Sequence, residues 1–331
     1  LALGKGRRGR AGKPALPAIR GAWTAQIWLA DMDAFWSGDQ SMRAHLRRVC
    51  LTLLACVWSA GALPAAESEA KDDFGRAMAA WRDGKHTNAI AILTKAISTS
   101  PKETRLLNLR AQMRSMMRDH EAAVTDLDAA IKLEPDSGFL VRERANALFK
   151  LGRFAAAVAD FDRVNELLPK SAPHNWQRGI ALYYAGKFAE GRKQFELHQT
   201  VNPDDVENAV WHFLCTAREQ GVEAARKQLI PIRGDTRIPM KEIHDLFASK
   251  ATPEDVLAAA AAGEAAPADR RNRTFYAHLY LGLYFEALGD AARMREHILA
   301  SLPLAARDDY MGDVARVHAQ RLTAELSPKS K

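Results

Sequence analysis

The chain has 331 residues, 47% of them hydrophobic and 26% charged, with 20 Gly and 14 Pro. That composition excludes collagen-like, low-complexity and wholly disordered classes and leaves ample apolar material for a buried core. Lys and Arg exceed Asp and Glu by seven, a balance that raises nucleic acid or an acidic membrane surface as partner. The excess sits at one end. Residues 1–66 carry nine basic side chains against three acidic ones, whereas residues 67–331 hold 38 against 37. The body of the chain is close to neutral, and no nucleic-acid partner is expected for it.

Residues 1–41 begin with Leu1 and run through Lys5, Arg7, Arg8, Arg10 and Lys13 to Trp23, Trp28 and Trp36, without a sustained period. They read as an untranslated or disordered preface ahead of a start at Met42. The alternative, a basic arm for nucleic acid or anionic lipid, has no obvious compartment to act in, because an export signal follows it. From Met42 a basic stretch (Arg43, Arg47, Arg48) precedes an apolar run, Val49 to Leu63, and a small-residue exit. That order is the one export requires, so residues 42–66 are expected to be a signal peptide, cleaved near Ala62 or Ala66. The run is short for a membrane span of about 20 residues. A second version makes Leu53-Leu54-Ala55-Cys56 a lipobox with Cys56 lipidated. Against it, only seven apolar residues separate Arg48 from Cys56, and the apolar run continues beyond. The three cysteines, Cys50, Cys56 and Cys215, build neither a disulfide framework nor a zinc-type spacing.

A period of 34 residues fills the next section. Pro101, Pro135, Pro169 and Pro203 are separated by 34 residues each, and so are Ala89, Ala123, Ala157 and Gly191. Leu93, Leu127, Phe161 and Phe195 keep the same step, as do Ala77, Ala111, Ala145 and Gly179. Four units result, 70–103, 104–137, 138–171 and 172–205. In each, small residues let two antiparallel helices approach closely, a glycine (Gly84, Gly152, Gly186) turns the chain, and proline stops the second helix. Arg118 stands at the turn of the second unit, the least typical of the four. The large residue at Leu93, Leu127, Phe161 and Phe195 plugs the seam to the next unit.

This pattern resembles the tetratricopeptide repeat family, which implies an all-α solenoid of helix-turn-helix units over residues 67–205. Arg76, Arg110, Arg144 and Arg178 form a ladder at one unit position, with Asp126 and Asp160 sixteen residues after the second and third. An Arg–Asp pair inside units two and three is therefore expected, absent from units one and four where Ile92 and Gln194 stand.

After Pro203 the period breaks but helical character continues. Residues 206–267 are expected as an irregular helical insert, with helices over 206–220, 222–230, 238–248 and 253–262, the last capped by Thr252 with Pro253 at the first helical position. Residues 268–331 are expected as a C-terminal repeat-like hairpin (272–288 and 291–302) followed by an amphipathic capping helix over 308–326.

The Arg178–Lys187 segment, the helix bearing Trp211, the short pair 238–262 and the Phe275–Asp290 segment together resemble bacterial outer-membrane tetratricopeptide lipoproteins of the NlpI group. The resemblance implies a non-catalytic envelope adaptor, in the periplasm or on the periplasmic face of the outer membrane, that docks cell-wall hydrolases or a protease, often as a homodimer. The weak lipobox is the departure from that group.

In such an architecture the first helix of each unit lines the concave face. Unit two presents Arg105, Asn108, Gln112, Ser115 and Met116. Unit three presents Phe139, Arg142, Asn146, Phe149 and Lys150, and unit four Pro173, Trp176, Ile180, Tyr183 and Tyr184. An aromatic face with a few cationic and amide groups suits a peptide carrying an acidic group. Arg142 and Asn146, four residues apart, are placed to grip a carboxylate. The alternative is that the Tyr and Trp rings pack against neighbouring helices.

An enzymatic reading finds little to hold. No Gly-rich phosphate loop, G-x-S-x-G or H-E-x-x-H is present. His198 and His212 lack a ligand spacing, and Cys215 lies in an apolar pattern that keeps its thiol protonated. No cofactor and no metal are expected. The leading expectation is a protein-binding adaptor whose groove residues are Arg105, Asn108, Arg142, Asn146, Lys150, Trp176, Tyr183 and Tyr184. The alternative is a structural, self-associating repeat protein without a dedicated peptide ligand.

Overall fold

A computed structural model describes residues 65–306 and 309–326. The expected preface, the signal-like segment as far as residue 64, and Cys56 lie outside the described residues. Among those described, every regular element is helical. The first eight α-helices are α1 (Ala65–Arg82), α2 (His86–Thr99), α3 (Thr104–Met116), α4 (His120–Leu133), α5 (Gly138–Lys150), α6 (Phe154–Leu167), α7 (Trp176–Tyr184) and α8 (Phe188–Gln199), with a 3-10 turn over Pro169–His174 before α7. They pack as four antiparallel pairs, each helix against the next in sequence.

The small residues do what their spacing demands. Ala77, Ala111 and Ala145 are buried at the crossing of each pair, facing buried Ala89, Ala123 and Ala157. In unit four, a Cβ on Gly179 would stand 2.5 Å from the Phe195 ring, so only glycine lets α7 and α8 close over that phenyl group. Phe195 also stacks on Trp211 of the next helix, with ring centroids 6.5 Å apart. It therefore fills the gap inside its own unit and the seam beyond it.

The turns obey one backbone rule. Gly84, Gly152 and Gly186 adopt φ of 75°, 73° and 75°, and Arg118 takes φ 68° at the matching position. A non-glycine residue there carries strain of about 1 kcal/mol, and its side chain is used, as shown below.

The arginine ladder forms, and it reaches further than the sequence suggested. Arg110 binds Asp126 through two nitrogens at 2.9 and 2.6 Å, and Arg144 binds Asp160 at 2.8 and 2.7 Å. Each arginine also reaches sixteen residues backwards: Arg110 to Thr94, Arg144 to Asp128 and Arg178 to Asp162, at 3.0, 2.7 and 2.6 Å. Arg178 completes its rung on Gln194 at 3.2 Å. Each guanidinium thus ties its own second helix to that of the preceding unit, because its planar fork serves two acceptors at once. Arg76 instead pairs with Asp73 on its own helix.

Beyond the repeats come α9 (Val206–Gln220), α10 (Val222–Lys227), α11 (Met240–Phe247), α12 (Pro253–Ala261), α13 (Pro267–Ala287), α14 (Ala291–Ser301) and α15 (Tyr310–Leu326). Thr252 caps α12 through a reciprocal pair with Asp255. Helix α13 starts five residues before the expected Asn272, because Pro267 takes the first helical position, where its missing N–H costs nothing. A Cβ on Gly282 would meet Ile298 at 2.7 Å, the same sixteen-residue step as Gly179 and Phe195, so α13 and α14 repeat the close approach of a repeat pair. Tyr280 on α13 donates to Glu207 on α9 at 2.7 Å, and Arg237 binds the same carboxylate at 2.7 Å. Burial, with Asp205 nearby, raises the Glu207 carboxyl to about 7.

The core divides in two. A small cluster of Ala77, Ala80, Ala89, Leu93 and Ala96 with one face of α3 (Leu106, Leu109, Met113) holds unit one. The main cluster runs from Leu107 to Leu322 and contains the large buried aromatics. Helix α15 does more than cover the end of the solenoid: it turns back from α14 onto α5.

Candidate functional site

The inner face is built by α3, α5 and α7, and along its second half lies α15. Four of its residues, Tyr310, Asp313, His318 and Arg321, seat that helix. The Tyr310 ring stacks on Phe149 with centroids 5.6 Å apart at 17°, and meets Trp176 edge-on at 4.9 Å. The Asp313 carboxylate, buried at 5% exposure, pairs with Lys150 at 3.0 Å and with Arg118 at 3.3 Å. Its own-helix neighbour Arg316 approaches at 3.1 Å. One turn and a half further on, Tyr184 Oη shares a hydrogen bond with His318 Nδ1 at 3.0 Å, and the Arg321 guanidinium lies over the Tyr184 ring. An aromatic anchor followed by a desolvated carboxylate between two cations is the arrangement by which a groove holds an amphipathic helix.

A hollow of about 110 Å³ remains beside this seat, lined by Gln112, Ser115, Glu143, Asn146 and Lys150 on one side and by Tyr310 and Asp313 on the other. Asn146 Oδ1 and Tyr310 Oη are buried without a hydrogen-bond partner, as is Asn108 Oδ1 one helix away. Buried polar atoms are ordinarily paired. His120, at the start of α4, lies near the same charges. Its imidazole is lowered to about 4, first by burial and then by Lys150, with Asp313 opposing.

The residues expected to line the groove divide into four groups. Asn146, Lys150 and Trp176 meet at the α15 seat. Arg105 and Asn108 lie on α3, ahead of it; Arg105 is exposed beside Glu103 at 2.9 Å. Arg142 is half-buried on α5, its guanidinium pKa lowered by burial. Tyr183 and Tyr184 correct the expectation of ligand-facing rings, being 2% and 6% exposed. Tyr183 packs edge-on against Phe188 and Trp211 and donates to Glu286 of α13 at 2.8 Å. Tyr184 is enclosed by Phe149, Phe154, Trp211 and α15. Burial pushes both phenols up, so both stay protonated. Phe149 and Ile180, also placed on the concave face, are buried too. The carboxylate at the seat is met by Lys150 and Arg118.

Arg118, Tyr310 and Asp313 were missed as site residues. Arg118 had a signal, since it replaces glycine at a repeat turn. Tyr310 and Asp313 stand three apart on the last helix, but one amphipathic helix does not reveal which face of a solenoid it covers.

Elsewhere the chemistry is quiet. Cys215 is fully buried and burial raises its thiol pKa. His198 Nδ1 lies 2.8 Å from the Pro173 carbonyl, and His212 Nε2 lies 3.5 Å from Glu196. Among the described residues, no group of three or more His, Cys, Asp or Glu is gathered to hold a metal ion. No described helix is long and apolar enough to cross a membrane.

Comparison with known proteins adds the following. The family model "Bacterial transcriptional activator domain" matches residues 55–171, about a third of the chain. No curated protein matches it. The structure is similar to a tetratricopeptide repeat protein from Parabacteroides merdae ATCC 43184, at 12% identity and TM-score 0.51, over 76% of this chain and 98% of that one. It is also similar to PilF of Pseudomonas aeruginosa (14% identity, TM-score 0.43, 79% of this chain and 100% of that one). A third similar structure is MamA of Desulfovibrio magneticus RS-1 (17%, 0.44, 48% and 89%). The likeness to the Parabacteroides merdae protein, at 12% identity, speaks to architecture, and with the helix pairs, turns and close contacts above it establishes an all-α solenoid of tetratricopeptide type.

Proposed function

We propose that the chain is a non-catalytic protein-binding adaptor of the bacterial cell envelope, exported through the segment at 42–66 and taking peptide segments on its inner face. The observation that carries this reading is the α15 seat: the inner face already holds an amphipathic helix by an aromatic anchor and a desolvated carboxylate. The half of that face formed by α3, with Arg105 and Met116 exposed, is placed to continue the contact along an extended or helical partner. Envelope hydrolases or a protease are the partner class favoured by the likeness to the NlpI group seen in the sequence. A lipid on Cys56 and a homodimer belong to the same proposal.

The experiment is site-specific photo-crosslinking in the cell. A benzophenone amino acid at Arg105 on α3 is expected to capture an envelope protein, while the same group at exposed Arg163 on the opposite helix layer captures none. The same products from both positions, or none from Arg105, would contradict the reading. Mass spectrometry of the mature N-terminus tests the start at Met42, the cleavage site and acylation of Cys56 together; a mature chain that retains the 42–66 segment would remove the envelope from the proposal.

A further inference from the structure

We propose that α15 is a resident competitor, and that the seat it occupies binds in trans an amphipathic helix presenting an aromatic residue and, three residues later, a carboxylate. The inference rests on the groove-binding reading above and goes on to define the partner's chemistry.

Three observations carry it. First, the seat is specific. Tyr310 sits between Phe149 and Trp176, and the Asp313 carboxylate lies between Lys150 and Arg118, at 3.0 and 3.3 Å. Arg118 comes from the one repeat turn that holds a left-handed backbone without glycine. Such strain persists where the surrounding structure uses the residue, and here its guanidinium meets α15. Second, the fit is incomplete. The hollow of about 110 Å³ adjoins Asp313, and Asn146 Oδ1 and Tyr310 Oη stay unpaired at its edge. A helix with a polar side chain beside its carboxylate fills space and pairs the Asn146 Oδ1 that α15 leaves unmet. Third, the tether permits exchange. Arg271 of α13 holds the Pro303 and Leu304 carbonyls just after α14, whereas the Ala305 and Ala306 carbonyls are held by Arg316 of α15 itself, so α15 can leave without unravelling α14.

The consequence is quantitative. A tethered helix acts at an effective concentration near millimolar. The apparent affinity of an external helix falls by the fraction of time the seat is open. The unaltered chain therefore binds weakly, and a chain with a disabled α15 binds well.

The probe is a fluorescein-labelled peptide with the sequence of residues 309–326, read by anisotropy against the full chain. The Tyr310→Ala/Asp313→Ala chain is expected to bind it at least about tenfold tighter than the unaltered chain does. Adding Lys150→Glu to that variant is expected to abolish the gain. Equal binding by the first two chains, or none by either, would overturn the proposal. Should the double variant melt early, the unaltered 15N-labelled chain serves instead: excess unlabelled peptide is expected to speed amide exchange in its own α15, and unchanged exchange counts against the proposal. A concentration-dependent dimer that ignores the peptide would make the occupant a second copy and also overturn it. Partner capture through Arg105 together with absent peptide binding would leave the adaptor reading standing and remove this one.

Discussion

Units one and three are built on the same 34-residue step, yet they are held by different means. Unit one closes over alanines and Leu93, with Phe74, Trp81 and Ile90 half-buried around them, and its exposed Arg76 pairs with Asp73 on its own helix. Unit three closes over Phe149 and Phe161, its Arg144 binds acceptors in two units, and α15 covers its inner side. The backbone plan is common to both; what differs is how many faces find a neighbour. A repeat is a unit of geometry, and its stability is set largely by its interfaces.

The comparison can be broken by substitution. Phe195→Ala should have the largest effect, about 4 kcal/mol in urea unfolding, since it empties the space between Gly179 and Trp211. Asp126→Ala should cost about 3 kcal/mol, because it leaves Arg110 and Arg114 without their buried acceptor. Asp73→Ala, the matching break in unit one, should cost less than about 1 kcal/mol, its Arg76 partner being mostly exposed. Equal costs for the two Asp substitutions would show that the ladder carries no more in the middle of the solenoid than at its end.

Acid sharpens the same contrast. His120 is neutral in the folded chain down to about 4, against 6.5 for the ordinary imidazole. As pH falls below 6.5 the unfolded chain takes up the proton first, so stability declines progressively until about pH 4 and is flat in this respect above 6.5. Urea titrations at pH 7 and 5 should show the loss, and His120→Gln should reduce it. His174, His212, His278 and His297, also lowered by burial, add to the loss, while Glu207, whose carboxyl is raised by burial, opposes it over the same range. An unchanged pH dependence in the variant would place the loss elsewhere. The smallest effect is expected of Arg118→Gly. Relief of the turn, up to about 1 kcal/mol, opposes loss of a half-exposed pair worth about the same. Net stability stays nearly level while α15 exchanges faster.

The helix pairs were legible because a 34-residue period records close packing directly: only small residues fit at Ala77 or Gly179, and only a large one fills the space at Phe195. The arginine ladder was half legible. Its forward acceptors Asp126 and Asp160 lie in the same unit, whereas the backward ones, Thr94, Asp128 and Asp162, depend on how units stack. The site was the least legible part. Tyr183 and Tyr184 occupy positions that face outwards in an isolated unit, and the packing of α9, α13 and α15 over them decides their burial. Such long-range contacts leave no local pattern in sequence.

Amide hydrogen exchange on the full native chain tests the central claim most directly. The account predicts that residues 310–326 are better protected than α1 and α2 but less protected than α7, because α15 can leave its seat while the repeats stay folded. It also predicts that Lys150→Glu releases α15 and the inner side of α5 while leaving α2 unchanged. Rapid exchange of α15 in the unaltered chain, or a Lys150→Glu effect spread equally to α2, would contradict it.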